Sequence, residues 1–125
     1  MNLAALLRLA VFLTGGFLLL MSVVALADPH RLAGQLGLAA TNAVGAASLR
    51  ADLFGFFATA GGLAVAAAAR RAAYLLTAPL LLIGLALTGR IVALAIGPFD
   101  GSLLPPMAVE AVMLAVLAAG RVRGA

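Results

Sequence analysis

Charged residues in this chain fall almost entirely between long apolar runs. No ionisable side chain occurs from Leu9 to Ala27, and none occurs from Leu53 to Ala69. At about 1.5 Å per helical residue, such runs cross most of a hydrocarbon core roughly 30 Å thick. Two later runs are each interrupted by a lone charge, Arg90 in one and Glu110 in the other. A bilayer admits segments of this kind only as structures that satisfy their own backbone, which for one apolar run means a helix. The composition agrees, with 66% hydrophobic and 10% charged residues and a mean hydropathy of +1.23, well outside soluble usage. The expected fold is all-α: one domain, residues 1–125, forming a four-transmembrane-helix bundle with spans at about 6–27, 50–69, 73–96 and 105–120. An amphipathic periplasmic segment is expected between helices 1 and 2.

Absent residue types remove most chemistries. There is no cysteine, so disulfides, thiolate metal sites and cysteine nucleophiles are excluded. The single histidine, His30, cannot supply a two-histidine haem or a histidine-rich metal cluster. Every basic residue is arginine, so no lysine is present to form a Schiff base. No cofactor or metal site is expected. Nor is nucleic-acid binding, because the arginines are scattered around apolar runs and form no basic patch with stacking aromatics.

In chain order, Ala25-Leu26-Ala27 before Asp28 has the form of a signal-peptidase site. The apolar run exceeds an ordinary h-region, however, and Leu3 to Leu7 is apolar rather than basic, so span one is expected to remain. Asp28-Pro29 ends it. From His30 to Leu49, Leu32, Leu36, Ala40, Ala43 and Ala47 fall at helical spacing, the pattern of a helix lying on the bilayer surface or capping the bundle. In span two, Ala58, Gly62 and Ala66 recur every fourth residue with Gly55 on a neighbouring row, a face that would let a partner helix approach. Phe54, Phe56 and Phe57 read as lipid-facing or packing surface. Span three contains Pro79, where a kink is expected, and Pro105-Pro106 suit the first turn of span four.

Four spans put the N-terminus, the turn near residue 71 and the C-terminus on one side, with Arg8, Arg70, Arg71, Arg121 and Arg123 and no acid. The opposite side holds Arg31, Arg50 and Arg90 against Asp28, Asp52, Asp100 and Glu110. Arginine excess marks the cytoplasmic face, so both termini are expected inside. On this topology Arg90 and Glu110 lie at similar depth, and pairing would lower the cost of burying each. Arg50 and Asp52, near the same end of span two, are candidate further members. The cluster reads either as a structural ion group fixing helix register or as an outward-facing pocket in which Arg90 holds an anionic or polar headgroup and Glu110 tunes the site or relays a proton.

The arrangement resembles a bacterial family of small four-helix membrane proteins, the domain of unknown function numbered four-three-four-five, distantly similar to the DoxX-like group. The resemblance rests on Arg50-Ala51-Asp52-Leu53-Phe54-Gly55, Arg70-Arg71, Gly89-Arg90, Asp100-Gly101 and Glu110, and Phe56 stands where a second glycine would be expected. It implies the fold and an inner-membrane location and supplies no activity. The leading expectation is a non-catalytic accessory protein whose small-residue faces bind a membrane-protein partner or a second copy. The alternative is a binder or carrier of a lipid-like or quinone-like molecule at the Arg/Glu site, with proton coupling. Catalysis is not expected, since the candidate acid/base pair lacks a nucleophile or a ligand set.

Overall fold

The computed structural model describes residues 1–124 and is all-α. Helices α1 (Leu3–Ala27), α3 (Ala43–Arg70), α4 (Thr77–Ile96) and α5 (Leu104–Arg123) are long, and α2 (Pro29–Gln35) is short. Single 3-10 turns at Ala73–Leu76 and Gly101–Leu103 lead into α4 and α5. With those turns included, four helical segments are long and apolar enough to cross a membrane, which fits a multi-pass membrane protein.

Caps set the boundaries. The Asn2 side chain accepts from the N–H of Ala5 at 2.9 Å, and that of Asn42 accepts from the N–H of Gly45 at 2.8 Å. Each satisfies one of the amides that the first helical turn leaves without a partner. Asp28 closes α1 and caps α2, with Pro29 at the first helical position. Arg71 ends α3 in the left-handed conformation, φ 53°, and Ala72 donates back to the carbonyl of Ala67 at 3.0 Å. Polar side chains inside the spans bond to their own helices: the hydroxyls of Thr14, Ser22 and Thr88 donate to the carbonyls of Ala10, Leu19 and Gly84.

Several expected boundaries move. The segment from 30 to 49 is not one amphipathic helix: α2 stops at Gln35, Gly37 turns left-handed at φ 74°, and α3 begins at Ala43. Asn42 is the reason for that early start, because its cap nucleates the helix ahead of the apolar run. The 28 residues of α3 reach about 42 Å, more than the thickness of a 30 Å hydrocarbon core. Helix α2 caps the bundle: Leu32 and Ala33 are buried, and the helix packs on α1 and α3. Pro79 does not kink a helix interior. It lies in the first turn of α4, after the 3-10 turn, where its missing donor removes little.

The bundle is antiparallel. Gly15 faces Gly61 across α1 and α3, and Thr77 meets Arg121 across α4 and α5. The end that carries Met1, the 71–72 turn and Arg123 is called the terminal end here, and the other the loop end. The core lies toward the terminal end, where Val11, Leu18, Ala60, Ala64, Ala67, Leu76, Ile83 and Leu117 are buried.

Tight packing between α1 and α3 runs along Ala60, Gly61, Ala64 and Ala67, one ridge away from the expected row of Gly55, Ala58, Gly62 and Ala66. A methyl group on Gly61 would lie 2.7 Å from the Leu19 nitrogen, and one on Gly15 would lie 2.8 Å from that of Val65. Nothing lies within 4 Å of a methyl on Gly55 or Gly62. The ridge with Gly61 lets two backbones touch, and the expected row faces away from α1.

Candidate polar site in the loop-end half of the bundle

Arg90 stands six residues before the end of α4 at Ile96, and Glu110 six after the start of α5 at Leu104. Helical rise puts both about 9 Å below the loop end. Antiparallel packing then brings the side chains together: the Nε of Arg90 donates to the Oε1 of Glu110. It is the only ion pair among the described residues. The side chains retain 27% exposure for Arg90 and 12% for Glu110. In so apolar a setting each charge needs the other, since a buried ion without a counter-charge costs several kcal/mol.

The pair leaves capacity unused. Oε2 of Glu110 is buried and accepts no hydrogen bond, while guanidinium has five donors and only Nε of Arg90 is bonded among the described residues. An acceptor without a donor and several free donors therefore sit side by side.

The Arg90 and Glu110 side chains help line a cavity of about 590 Å³ between the loop-end halves of the four long helices. Phe17 and Met21 of α1, Leu53, Phe56 and Phe57 of α3, Ile83 and Ala86 of α4, and Val109 and Met113 of α5 form its walls. Gln35, Leu36 and Leu38, at the end of α2 and just beyond it, form its rim. The two phenylalanine rings meet edge to face with centroids 5.3 Å apart, which fixes that wall. Apolar walls with a few convergent polar groups are the usual make-up of a small-molecule site.

Two of the four candidate site residues meet and two do not. Arg50 donates from Nε to the carbonyl of Leu26 at 3.1 Å, tying α3 to the last turn of α1, where helix carbonyls lack intrahelical partners. Asp52 is exposed and makes no ion pair among the described residues. Neither lines the cavity. Direction rather than depth separates them, since the adjacent Leu53 lines the cavity while Arg50 turns to α1 and Asp52 to the outside. Phe56 and Phe57 correct the lipid-facing alternative: they are partly buried, pack on the core and line the cavity. Gln35 was not singled out from the sequence. Its signal was a polar side chain at the end of a cap that is otherwise apolar toward the bundle. His30 and Tyr74 are exposed.

Outside the spans, Asp100 accepts from the N–H of Ser102 at 2.9 Å and from its hydroxyl at 2.8 Å. Those bonds hold its carboxyl below the ordinary aspartate range. No family model matches the chain, and no curated protein or solved structure matches it either.

Proposed function

We propose that this is a non-catalytic protein of the bacterial inner membrane that holds an amphiphile in the loop-end cavity, with its polar head at Arg90 and Glu110. The orphaned Oε2 of Glu110 beside free Arg90 donors carries this reading. A head group suited to the site both donates to a carboxylate and accepts from a guanidinium. A hydroxyl does both, whereas a quinone carbonyl only accepts. The cavity of about 590 Å³ has room for such a head group and the start of an apolar chain.

Five arginines and no acid at the terminal end support cytoplasmic termini. The cavity would then face the outer leaflet. The resemblance to domain of unknown function four-three-four-five agrees with the same location.

The test is native mass spectrometry of the full chain released from mild detergent. A retained hydroxyl-bearing amphiphile, lost in Glu110→Gln while helicity is kept, is the expected result. Glu110→Gln that retains the same molecule with the same occupancy defeats the proposal.

A second reading is the accessory one, favoured by the uncovered face at Gly55 and Gly62. A partner helix or a second copy would seat there. A stoichiometric second chain in the same spectrum, lost in Gly62→Leu, distinguishes it.

A further inference from the structure

The terminal end carries a second and separate recess, a groove of about 490 Å³ between α1 and α3. It exists because α3 ends in a run of alanines, Ala66 to Ala69, too small to fill the space beside α1. Leu9 and Phe12 form one wall, Ala68 and Ala69 the other, and Arg8 and Arg71 both line it. Arg8 is only half exposed and lies five residues into α1, about 7.5 Å from the start of the helix. Its guanidinium and that of Arg71 make no hydrogen bond or ion pair among the described residues. No acidic side chain lies at this end: Asp28, Asp52, Asp100 and Glu110 all belong to the loop-end half. A half-buried arginine against apolar walls calls for a counter-charge, and no acidic side chain among the described residues at this end supplies one.

We infer that this groove binds the phosphate of an anionic phospholipid drawn from the leaflet at the terminal end. Two guanidiniums suit a phosphate, which accepts from each through paired donors. Leu9, Phe12 and the alanine face meet the upper part of an acyl chain, which a free phosphate would leave bare. Net negative charge favours a head such as phosphatidylglycerol over one whose own cation satisfies its phosphate. The site is independent of the Arg90–Glu110 cavity, at the opposite end of the bundle, and the two stand or fall separately.

The test uses the full chain in dodecyl maltoside, titrated with dioleoyl phosphatidylglycerol or dioleoyl phosphatidylcholine and read by native mass spectrometry. One phosphatidylglycerol is expected to be retained in preference to phosphatidylcholine. The double variant Arg8→Gln/Arg71→Gln should lose roughly thirtyfold in affinity, about 1 kcal/mol per arginine. Arg70→Gln/Arg123→Gln removes the same charge outside the groove and should lose about threefold at most. Arg71→Gly provides a variant that removes one guanidinium while suiting the left-handed backbone at that position, and it should lose roughly fivefold. Equal losses in the two double variants, equal binding of the two lipids, unchanged binding in Arg71→Gly, or inorganic phosphate binding as tightly as the lipid would each overturn the assignment.

Discussion

Gly61 and Gly62 are adjacent in one helix, yet the structure assigns them opposite responses to the same substitution. Alanine replaces glycine in a helix interior with a gain of about 0.8–1 kcal/mol, because the backbone loses less freedom on ordering. At Gly62 nothing lies within 4 Å of the added methyl, so Gly62→Ala should keep that gain. At Gly61 the methyl would meet the Leu19 nitrogen at 2.7 Å and the Gly15 oxygen at 2.8 Å, against ordinary contacts that begin near 3.4 Å. Both obstacles are backbone, so α1 must move away by about 0.7 Å along the closest helix pair in the bundle. Overpacking of this kind costs about 1–3 kcal/mol. The propensity gain is common to both variants and cancels in their difference, leaving Gly61→Ala about 1–3 kcal/mol less stable than Gly62→Ala. Equilibrium unfolding of the two proteins in dodecyl maltoside micelles titrated with dodecyl sulfate, followed by circular dichroism, measures that difference. Coincident transitions would refute the claim that backbone contact limits the approach of α1 and α3.

Other substitutions probe the charges. Arg90→Met should destabilise the chain by about 3–5 kcal/mol by stranding Glu110 in an apolar wall, and adding Glu110→Gln should recover much of that loss in the same unfolding assay. Arg71→Gly should raise stability by about 1 kcal/mol, since only glycine adopts a left-handed backbone without a side-chain penalty. Asp100 binds its proton less readily when folded, so its contribution to stability is complete above the ordinary value of 3.8 and disappears as pH falls through the lower folded value. A carbon-13 titration of the Asp100 carboxyl should show the depressed midpoint, and Ser102→Ala, which removes the hydroxyl donor, should move it back upward.

The four long helices were legible because an apolar run too long for a soluble core has one solution in a bilayer. Their ends were less so. Asn42 starts α3 ahead of its apolar stretch, a local side-chain bond that hydropathy does not register. Arg50 and Asp52 left the expected cluster because of the way they face, Arg50 onto α1 and Asp52 outward, which depth alone does not register. Arg90 and Glu110 could be paired in advance because each is the lone charge within its span and helical rise put them at comparable depth. The packing ridge on α3 could not be chosen beforehand. Small residues occur on nearly every face of that helix, so spacing alone does not separate Gly61 from Gly62.

Side-chain size along α3 also accounts for where the cavity lies. Toward the terminal end its inward residues are Ala60, Gly61, Ala64, Ala67 and Ala68, and there α1 closes onto the backbone itself. Toward the loop end the same side of the bundle carries Leu53, Phe56 and Phe57. Their bulk holds α3 away from α4 and α5, and the edge-to-face contact keeps the two rings from collapsing into the gap. The chain is therefore closed backbone to backbone around Gly15 and Gly61 and open beside Phe56 and Phe57. Arg90 and Glu110 stand beside the phenylalanines, where Oε2 of Glu110 is buried without a protein donor. A polar pair set in a packed core would fix helix register and nothing more. Set beside an apolar space, the same pair has room for the head group proposed above.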